Sequence, residues 1–180
     1  TGYIKSRFTM NTSKPIMHSI TMYKKQTSLR LALVYLYGGF YMDLDMLSLK
    51  PLDELRKYNL VLGEEKIVCQ AEQEALNLRY RLRIANYMFG GIPKHPFLRR
   101  IMDEMAERAT IILKSQQEIL DITGPGLLTD TYWDNYGMYP DITLLRNTDK
   151  RCRQPYHNEI SCHFGDYAAH LHAGTWRTGI

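Results

Sequence analysis

Two aspartates one residue apart, Asp43 and Asp45, are the side chains of this sequence best placed to do chemistry. They follow Gly38-Gly39 and the β-favouring run Phe40-Tyr41-Met42. The pattern predicts a strand from Phe40 to Asp45, and residues two apart on a strand point the same way. Two carboxylates on one side can bind a hard divalent cation, which can hold a pyrophosphate. The alternative for an Asp-x-Asp tripeptide is a solvated acidic turn or a helix cap.

An apolar helix is predicted directly before the acidic pair, from about Ser19 to Tyr37. Ser19 can cap the helix, and Gly38 provides the stop at its C-terminal end. Its apolar stripe is expected to consist of Leu29, Leu33 and Leu36. This helix must therefore position the strand that carries the aspartates.

The rest of the chain alternates between predicted strands and helices, which indicates a mixed α/β fold in one domain spanning residues 1–180. The expected elements are a turn into a short helix at Lys50–Leu55, strands at Asn59–Glu64, Leu78–Phe89 and Ile142–Leu145, helices at Pro96–Lys114 and from Gly124 to about Tyr136, and a final strand and turn at Ala168–Arg177.

The composition fits a globular domain with its own core: 180 residues, 44% hydrophobic and 23% charged, with a net charge of +4. The basic residues are interleaved with acids, so a nucleic-acid partner is not expected. No run of 18 apolar residues occurs, so no membrane span is expected either. Cys152 and Cys162 either form a disulfide in an oxidising lumen or remain thiols, and Cys69 is the third cysteine of the chain.

The order of several motifs resembles the DXD-containing sugar-binding region of GT-A-fold glycosyltransferases. The resemblance is closest to fungal initiation α-1,6-mannosyltransferases, inositol-phosphoceramide mannosyltransferases and bacterial capsular-polysaccharide transferases, and more distant to the glucosylating clostridial toxins. It is carried by the helix, the double glycine, the aspartates and Lys50-Pro51-Leu52, then by Asn86, Lys94-His95-Pro96-Phe97, Thr123-Gly124-Pro125 and a tail with His170 and Gly174-Thr175-Trp176.

The resemblance implies a metal-dependent, retaining hexosyltransferase that uses Mn²⁺ or Mg²⁺. Its donor would be a nucleotide sugar, GDP-mannose or a UDP-hexose, and its acceptor a glycan, a glycolipid or a protein. Such enzymes work in the Golgi lumen of eukaryotes or in bacterial or viral cytoplasm. The family usually opens with an Ile-Pro-x-x-Ile-His segment that is not found before Asp43, so the fold is expected to lack its N-terminal strand–helix part.

Carried over position by position, the family pattern makes Asp45 a metal ligand and Asp43 its partner on the donor ribose or on metal-bound water. Arg30 matches the arginine that holds the donor; the alternative is a helix-surface charge. Thr27 stands where the family has an aspartate, and this departure puts donor choice or activity in doubt. His170, with His172 as second choice, completes the metal site; for both, a structural role is the alternative.

Five further residues are assigned with weaker support. Trp176 can cover the diphosphate or lie in the core, and Gly39 allows close approach to the donor or simply a turn. Asn86, His95 and Gly124 are expected on the acceptor side, although for His95 packing in a turn is favoured.

A row of three arginines is the last candidate binding feature. Arg79, Arg81 and Arg83 are expected to form a solvated strand face or, less favoured, to bind an anionic acceptor.

Two other functions are alternatives to a glycosyltransferase. The main one is a catalytically inactive relative that binds a nucleotide sugar or a partner. A metal-dependent phosphohydrolase would need a wider ligand cluster than the sequence offers.

Overall fold

The computed structural model describes residues 13–108, 116–147 and 162–171. Within these ranges the helices are α1 (Ser13–Tyr37), α2 (Gln70–Ala75), α3 (Pro96–Glu107), α4 (Gln116–Thr123) and α5 (Pro125–Asp134), with a 3₁₀ helix at Asp53–Lys57. The strands are β1 (Gly39–Met42), β2 (Met46–Ser48), β3 (Leu60–Ile67), β4 (Leu82–Ile84), β5 (Met88–Gly91), β6 (Ile142–Leu145), β7 (Cys162–His163) and β8 (Ala168–His170). The predicted mixed α/β composition is confirmed. None of the described helices has the length and apolar content that a membrane crossing requires.

Helix α1 ends as predicted but begins earlier. Gly38 has a φ of +70°, and its amide donates to the Val34 carbonyl at 2.8 Å, which closes the helix. The start lies at Ser13, not Ser19, because Pro15 falls in the first helical turn, where its missing N–H is not needed.

The predicted apolar stripe of α1 was wrong. Leu29, Leu33 and Leu36 are between 45% and 59% exposed, whereas Leu31 and Val34 are buried. The helix is apolar on several sides, so hydrophobicity alone does not choose the buried face. The buried face also carries the polar Thr27 and Arg30, and these two residues become central to the site described below.

Two sheets organise the strands. The larger sheet has the order β1-β5-β3-β4, and β6 pairs with β3 in parallel at Leu60↔Ile142 through Gly63↔Leu145. The smaller sheet has the antiparallel order β2-β8-β7. Strand β3 is the centre of the larger sheet because β4, β5 and β6 all pair with it.

The two faces of β3 explain two hydrophobic cores. Leu60 and Leu62 point towards α1, α3 and α5, while Val61 points to the opposite face and the smaller sheet. Phe164, fully buried, packs so closely over Gly63 that a Cβ there would lie 2.5 Å from its ring. Burial of each such large side chain contributes roughly 1.5–3 kcal/mol.

Some of the other predicted elements are confirmed, whereas others were wrong or were not predicted. The strand at Ile142–Leu145 and the helix starts at Pro96 and after Gly124 are confirmed. The continuous strand predicted at Leu78–Phe89 was wrong, since β4 and β5 are separate there. Helix α3 ends at Glu107, and residues 109–114 of its predicted continuation lie outside the described ranges. The helices α2 and α4 and the strands β2 and β7 were not predicted.

Candidate functional site

The site begins with a buried arginine on α1. Arg30 is 6% exposed, and its Nη1 donates to the backbone oxygen of Asn86 at 2.9 Å. The same Nη1 lies 3.2 Å from Asp43 Oδ1, and the guanidinium lies 4.7 Å from the centre of the Tyr41 ring. The alternative of a helix-surface charge for Arg30 is therefore wrong.

Asp43 lies just beyond the end of a strand, not within it. Strand β1 ends at Met42, and the Asp43 amide donates to the Tyr87 carbonyl at 2.8 Å. The Met46 amide then donates back to the Asp43 carbonyl at 3.2 Å, which makes residues 43–46 a turn. The predicted strand to Asp45 was therefore wrong: the chain turns there because it leaves the larger sheet to enter β2 of the smaller one.

Asp45 points to a different partner from Asp43. Its Oδ2 lies 3.2 Å from His170 Nε2, and its carbonyl accepts from the Leu171 amide at 2.8 Å. Pairing of Met46 with His170 in the β2–β8 ladder fixes this contact. The His170 ring also packs on Tyr87, with ring centres 4.4 Å apart.

A pocket opens beside the Arg30–Asp43 pair, where α1, α3, α5 and β5 meet. Its empty volume is ≈ 230 Å³, part of it open to solvent. Four residues assigned to the site from sequence line it: Thr27, Arg30, Asn86 and Gly124. The fold thus brings together, around one guanidinium, residues that are far apart in the chain.

Comparison with known proteins gives a match over the segment that carries α1 and the acidic turn. Residues 3–62, which contain α1, β1 and the acidic turn, match the family described as the glycosyltransferase sugar-binding region containing the DXD motif. The predicted resemblance to the DXD-containing glycosyltransferases is confirmed. The chain is also similar to a human alpha-1,4-N-acetylglucosaminyltransferase, with 33% identity over 119 residues. That match covers 65% of this chain and 28% of the human enzyme.

The DXD region fits a divalent cation that is shared with a ligand. Among the described residues, no group of three or more His, Cys, Asp or Glu side chains can hold a metal. Asp45 Oδ2 and His170 Nε2 are 3.2 Å apart, close to the roughly 3.0 Å between adjacent ligands of an octahedral ion with bonds of about 2.1 Å. Ions of the Mg²⁺ type bind through one or two carboxylates, substrate phosphates and water, so the Asp45 carboxylate suits such an ion and the His170 imidazole would be an additional nitrogen ligand.

Two residues that contact Asp43 were missed by sequence reasoning. The Tyr41 hydroxyl donates a short hydrogen bond to Asp43 Oδ1, and its ring lies under Arg30. The sequence did contain a signal for Tyr41, because a residue two positions before Asp43 on the predicted strand would share a face with it. Tyr87 holds the Asp43 amide and the His170 ring, and no pattern in the sequence indicated it.

Other predicted site residues lie apart from this candidate site or outside the described ranges. His95 is fully buried as the N-cap of α3, where Nδ1 accepts from the Phe97 amide at 3.2 Å and Nε2 lies 3.3 Å from Asp141 Oδ2. Gly39 is exposed, with a φ of +90°. The structure does not describe three further predicted residues: Cys152, His172 and Trp176. Nor does it describe the side chain of Cys162.

The row of three arginines is not one solvated face. Arg79 is exposed, with both terminal nitrogens 2.7 Å from Asp134, whereas Arg83 is buried between Glu65 and Asp121 at 4.0 and 3.5 Å. Arg79 and Arg81 precede β4, which begins at Leu82, so no strand carries the period-two alternation through all three arginines. Burial raises the pKa of the Glu65 carboxyl, and Arg83 partly opposes this shift.

Proposed function

We propose that this chain forms the donor site of a metal-dependent glycosyltransferase with a GT-A fold, which moves a hexose unit from a nucleotide diphosphate sugar to a hydroxyl of a glycan, a glycolipid or a protein. The observation that carries the proposal is the acidic turn. It presents Asp43 to a buried arginine and Asp45 to a histidine, next to an open pocket. Because the chain covers 28% of the human relative's length, the activity of the whole protein is part of the proposal.

Arg30 supplies the fixed positive charge of the proposed donor site. Its guanidinium is held from three directions, by Asp43, the Asn86 carbonyl and the Tyr41 ring. A leaving diphosphate gains negative charge as the glycosidic bond breaks. A cation that is already oriented and shielded from water stabilises that charge without reorganising.

Asp45 and His170 would hold the cation, Mn²⁺ or Mg²⁺, and Asp43 would bind the donor ribose or metal-bound water. The ion supplies Lewis-acid stabilisation of the leaving diphosphate. Retention of the anomeric configuration, with departure and attack on the same face, is part of the proposal. It requires no strong protein base.

The donor and the acceptor are proposed more broadly. GDP-mannose and UDP-hexoses are the donors that the sequence resemblance favours, and the name of the human relative adds an N-acetylglucosamine donor. Asn86 and Gly124, which line the pocket, are proposed to face the acceptor. His95, held by Phe97 and Asp141, is the weakest member of that group.

Isothermal calorimetry tests the donor site. The chain is titrated with a panel of UDP- and GDP-sugars with and without Mn²⁺, and so are Asp45→Asn and the control Asp53→Asn. Even indirect partners of a metal typically change its affinity about 10–100-fold, so Asp45→Asn should weaken Mn²⁺-dependent binding at least tenfold. Asp53 is 80% exposed on the 3₁₀ helix, and its variant should bind like the wild type. If no sugar nucleotide binds to the folded chain, the proposal is wrong.

A catalytically inactive relative is the second candidate, and Thr27 favours it. A carboxylate at this position can bind two sugar hydroxyls at once, which a threonine cannot do. The two candidates differ in turnover. Metal-dependent binding without transfer or hydrolysis of any bound donor would favour the inactive relative.

A further inference from the structure

Arg83 is a buried arginine with most of its hydrogen-bonding capacity unused. Its exposure is 5%. In the part of the chain that the structure describes, its side chain has one hydrogen bond, from Nη2 to Asp121 Oδ1 at 3.5 Å, and one longer contact, from Nε to Glu65 Oε2 at 4.0 Å. A guanidinium has five N–H groups, and buried polar groups are nearly always paired. These long contacts indicate that a further polar group binds at Arg83.

Glu65, the second partner of Arg83, is held just as loosely. Its side chain is 24% exposed, and the 4.0 Å contact with Arg83 is its nearest ion pair among the described residues. The ladder between β3 and β4 pairs Glu64 and Lys66 with their opposite residues but passes over Glu65. Such a bulge redirects a side chain and is frequent next to active sites.

The position of Glu65 on β3 brings it close to the proposed metal site. Gly63 lies under the Phe164 ring, and the Phe164 amide donates to the Ala168 carbonyl at 2.9 Å. Glu65 is two residues beyond Gly63, and His170 is two residues beyond Ala168. The charge of His170 acts on the Glu65 carboxyl and opposes the rise of its pKa. The loosely held pair therefore lies on the side of the site where the smaller sheet contributes its histidine.

The charges around Arg83 restrict the group that can bind there. An anion would be repelled by Glu65 and Asp121, and a cation would be repelled by Arg83. A neutral hydroxyl can donate to the carboxylate of Glu65 and accept from the guanidinium of Arg83 at the same time. A hydroxyl held in this way has its proton directed at a carboxylate, which makes its oxygen a better nucleophile.

We propose that Glu65 and Arg83 bind the attacking hydroxyl of the acceptor and that Glu65 accepts its proton. The hydroxyl oxygen forms a bond to the anomeric carbon of the donor. The bond from that carbon to the diphosphate breaks, and its electron pair stays on the diphosphate. The proton passes to the Glu65 carboxylate and from there to water. This inference rests on the proposed donor site and adds a residue that acts on the acceptor.

Hydrolysis of the donor tests this role without a known acceptor, because water can occupy the place of the hydroxyl. Glu65→Gln keeps the shape of the side chain and removes its charge. The control is Glu72→Gln, since Glu72 is 20% exposed and contacts Lys66, the neighbour of Glu65. Donor binding is measured by calorimetry with UDP- and GDP-sugars and Mn²⁺, and release of the nucleotide diphosphate is followed by chromatography.

The expected result is a loss of turnover without a loss of donor binding. A general base typically contributes about 10²–10⁴-fold, so Glu65→Gln should lower the rate of hydrolysis at least about 100-fold. Its affinity for the donor should stay close to that of the wild type, and Glu72→Gln should retain both properties. Burial raises the pKa of the Glu65 carboxyl, which means that the fold disfavours its charge. The melting temperature of Glu65→Gln should therefore be no lower than that of the wild type.

Rescue by formate separates a chemical role of Glu65 from a structural one. Glu65→Ala leaves a space beside Arg83 in which a formate ion can supply the missing carboxylate. Sodium formate should then raise the rate of hydrolysis by Glu65→Ala about tenfold or more. Sodium chloride at the same ionic strength should not do so, and formate should not accelerate the wild type.

The outcomes distinguish this inference from the proposed donor site. Hydrolysis by Glu65→Gln at the wild-type rate, or absence of formate rescue in Glu65→Ala, overturns the role of Glu65 and leaves the donor site standing. A wild type that binds donors with Mn²⁺ but hydrolyses none of them has the same consequence. Failure of every UDP- and GDP-sugar to bind overturns the donor site and this inference with it.

Discussion

Replacing Arg30 with methionine tests the most buried ionic contact of the site. At the observed 3.2 Å to Asp43, the direct attraction is about 5 kcal/mol at an effective dielectric constant of 20. Desolvation of both groups offsets much of this attraction. Removing one partner of a buried pair typically costs 3–5 kcal/mol. Since Asp43 is 26% exposed and keeps the Tyr41 hydroxyl, we expect a loss of about 2–4 kcal/mol in unfolding free energy.

A double-mutant cycle isolates the pair from the packing of the arginine. Urea unfolding is measured for Arg30→Met, Asp43→Asn and the double variant. We expect a coupling energy of about 1–3 kcal/mol and, for Arg30→Met alone, a melting temperature lower by roughly 10 °C. Uncharged methionine cannot replace the guanidinium at the diphosphate, so metal-dependent donor binding should weaken as well.

An exposed ion pair provides the matched control. Arg79 and Asp134 are joined by two contacts of 2.7 Å, but their side chains are 54% and 34% exposed. The corresponding cycle with Arg79→Met and Asp134→Asn should give a coupling of at most about 1 kcal/mol. A coupling below about 0.5 kcal/mol for Arg30 and Asp43, or one no larger than in the control, would refute the argument that burial makes this pair strong.

Two further predictions concern stability. Burial lowers the pKa of the His95 imidazole, so below about pH 6.5 the unfolded state binds more protons and stability falls as the pH decreases. Urea unfolding from pH 7.5 to 5 should show a smaller loss for His95→Asn than for the wild type, and equal slopes would contradict this. Gly38→Ala should destabilise more than Gly137→Ala. Both glycines have positive φ, which costs an alanine roughly 1–2 kcal/mol, but only at Gly38 would the Cβ meet a neighbour, at 2.8 Å from Pro93.

Local signals in the sequence were sufficient for several elements. The glycine after Tyr37, the proline at position 96 and the Gly124-Pro125 pair each mark a helix boundary that the structure confirms. These boundaries depend on the backbone preferences of the residues that form them. No distant contact is needed to predict them.

Features that depend on tertiary contacts were not predictable in the same way. The buried face of α1 is decided by the β-strands and helices that cover it, and a helix with apolar residues on several sides does not indicate that face by its sequence. Likewise, the period of two in Arg79–Arg83 does not form one strand, because β4 begins only at Leu82. Asp43 and Asp45 were identified from their context, but the contacts of Arg30 with Asp43 and of His170 with Asp45 join segments that no spacing rule relates.

The position of the acidic turn has a consequence for the proposed metal and donor site. Asp43 is tied to the larger sheet through the Tyr87 carbonyl and to α1 through Arg30. Asp45 is tied to the smaller sheet through His170 and the Leu171 amide. How the two carboxylates are oriented relative to each other therefore depends in part on how the two sheets pack together, while the turn of residues 43–46 limits their separation.

That packing depends on a contact remote from both aspartates. Phe164, which precedes β8, fills the space over Gly63 on the central strand, where even a Cβ would collide with its ring. Because the packing is this close, the small sheet has little freedom to shift relative to β3. The glycine at position 63 thus contributes to where Asp45 and His170 lie, although it contacts neither, and the metal-binding half of the site can be altered without changing the Arg30–Asp43 half.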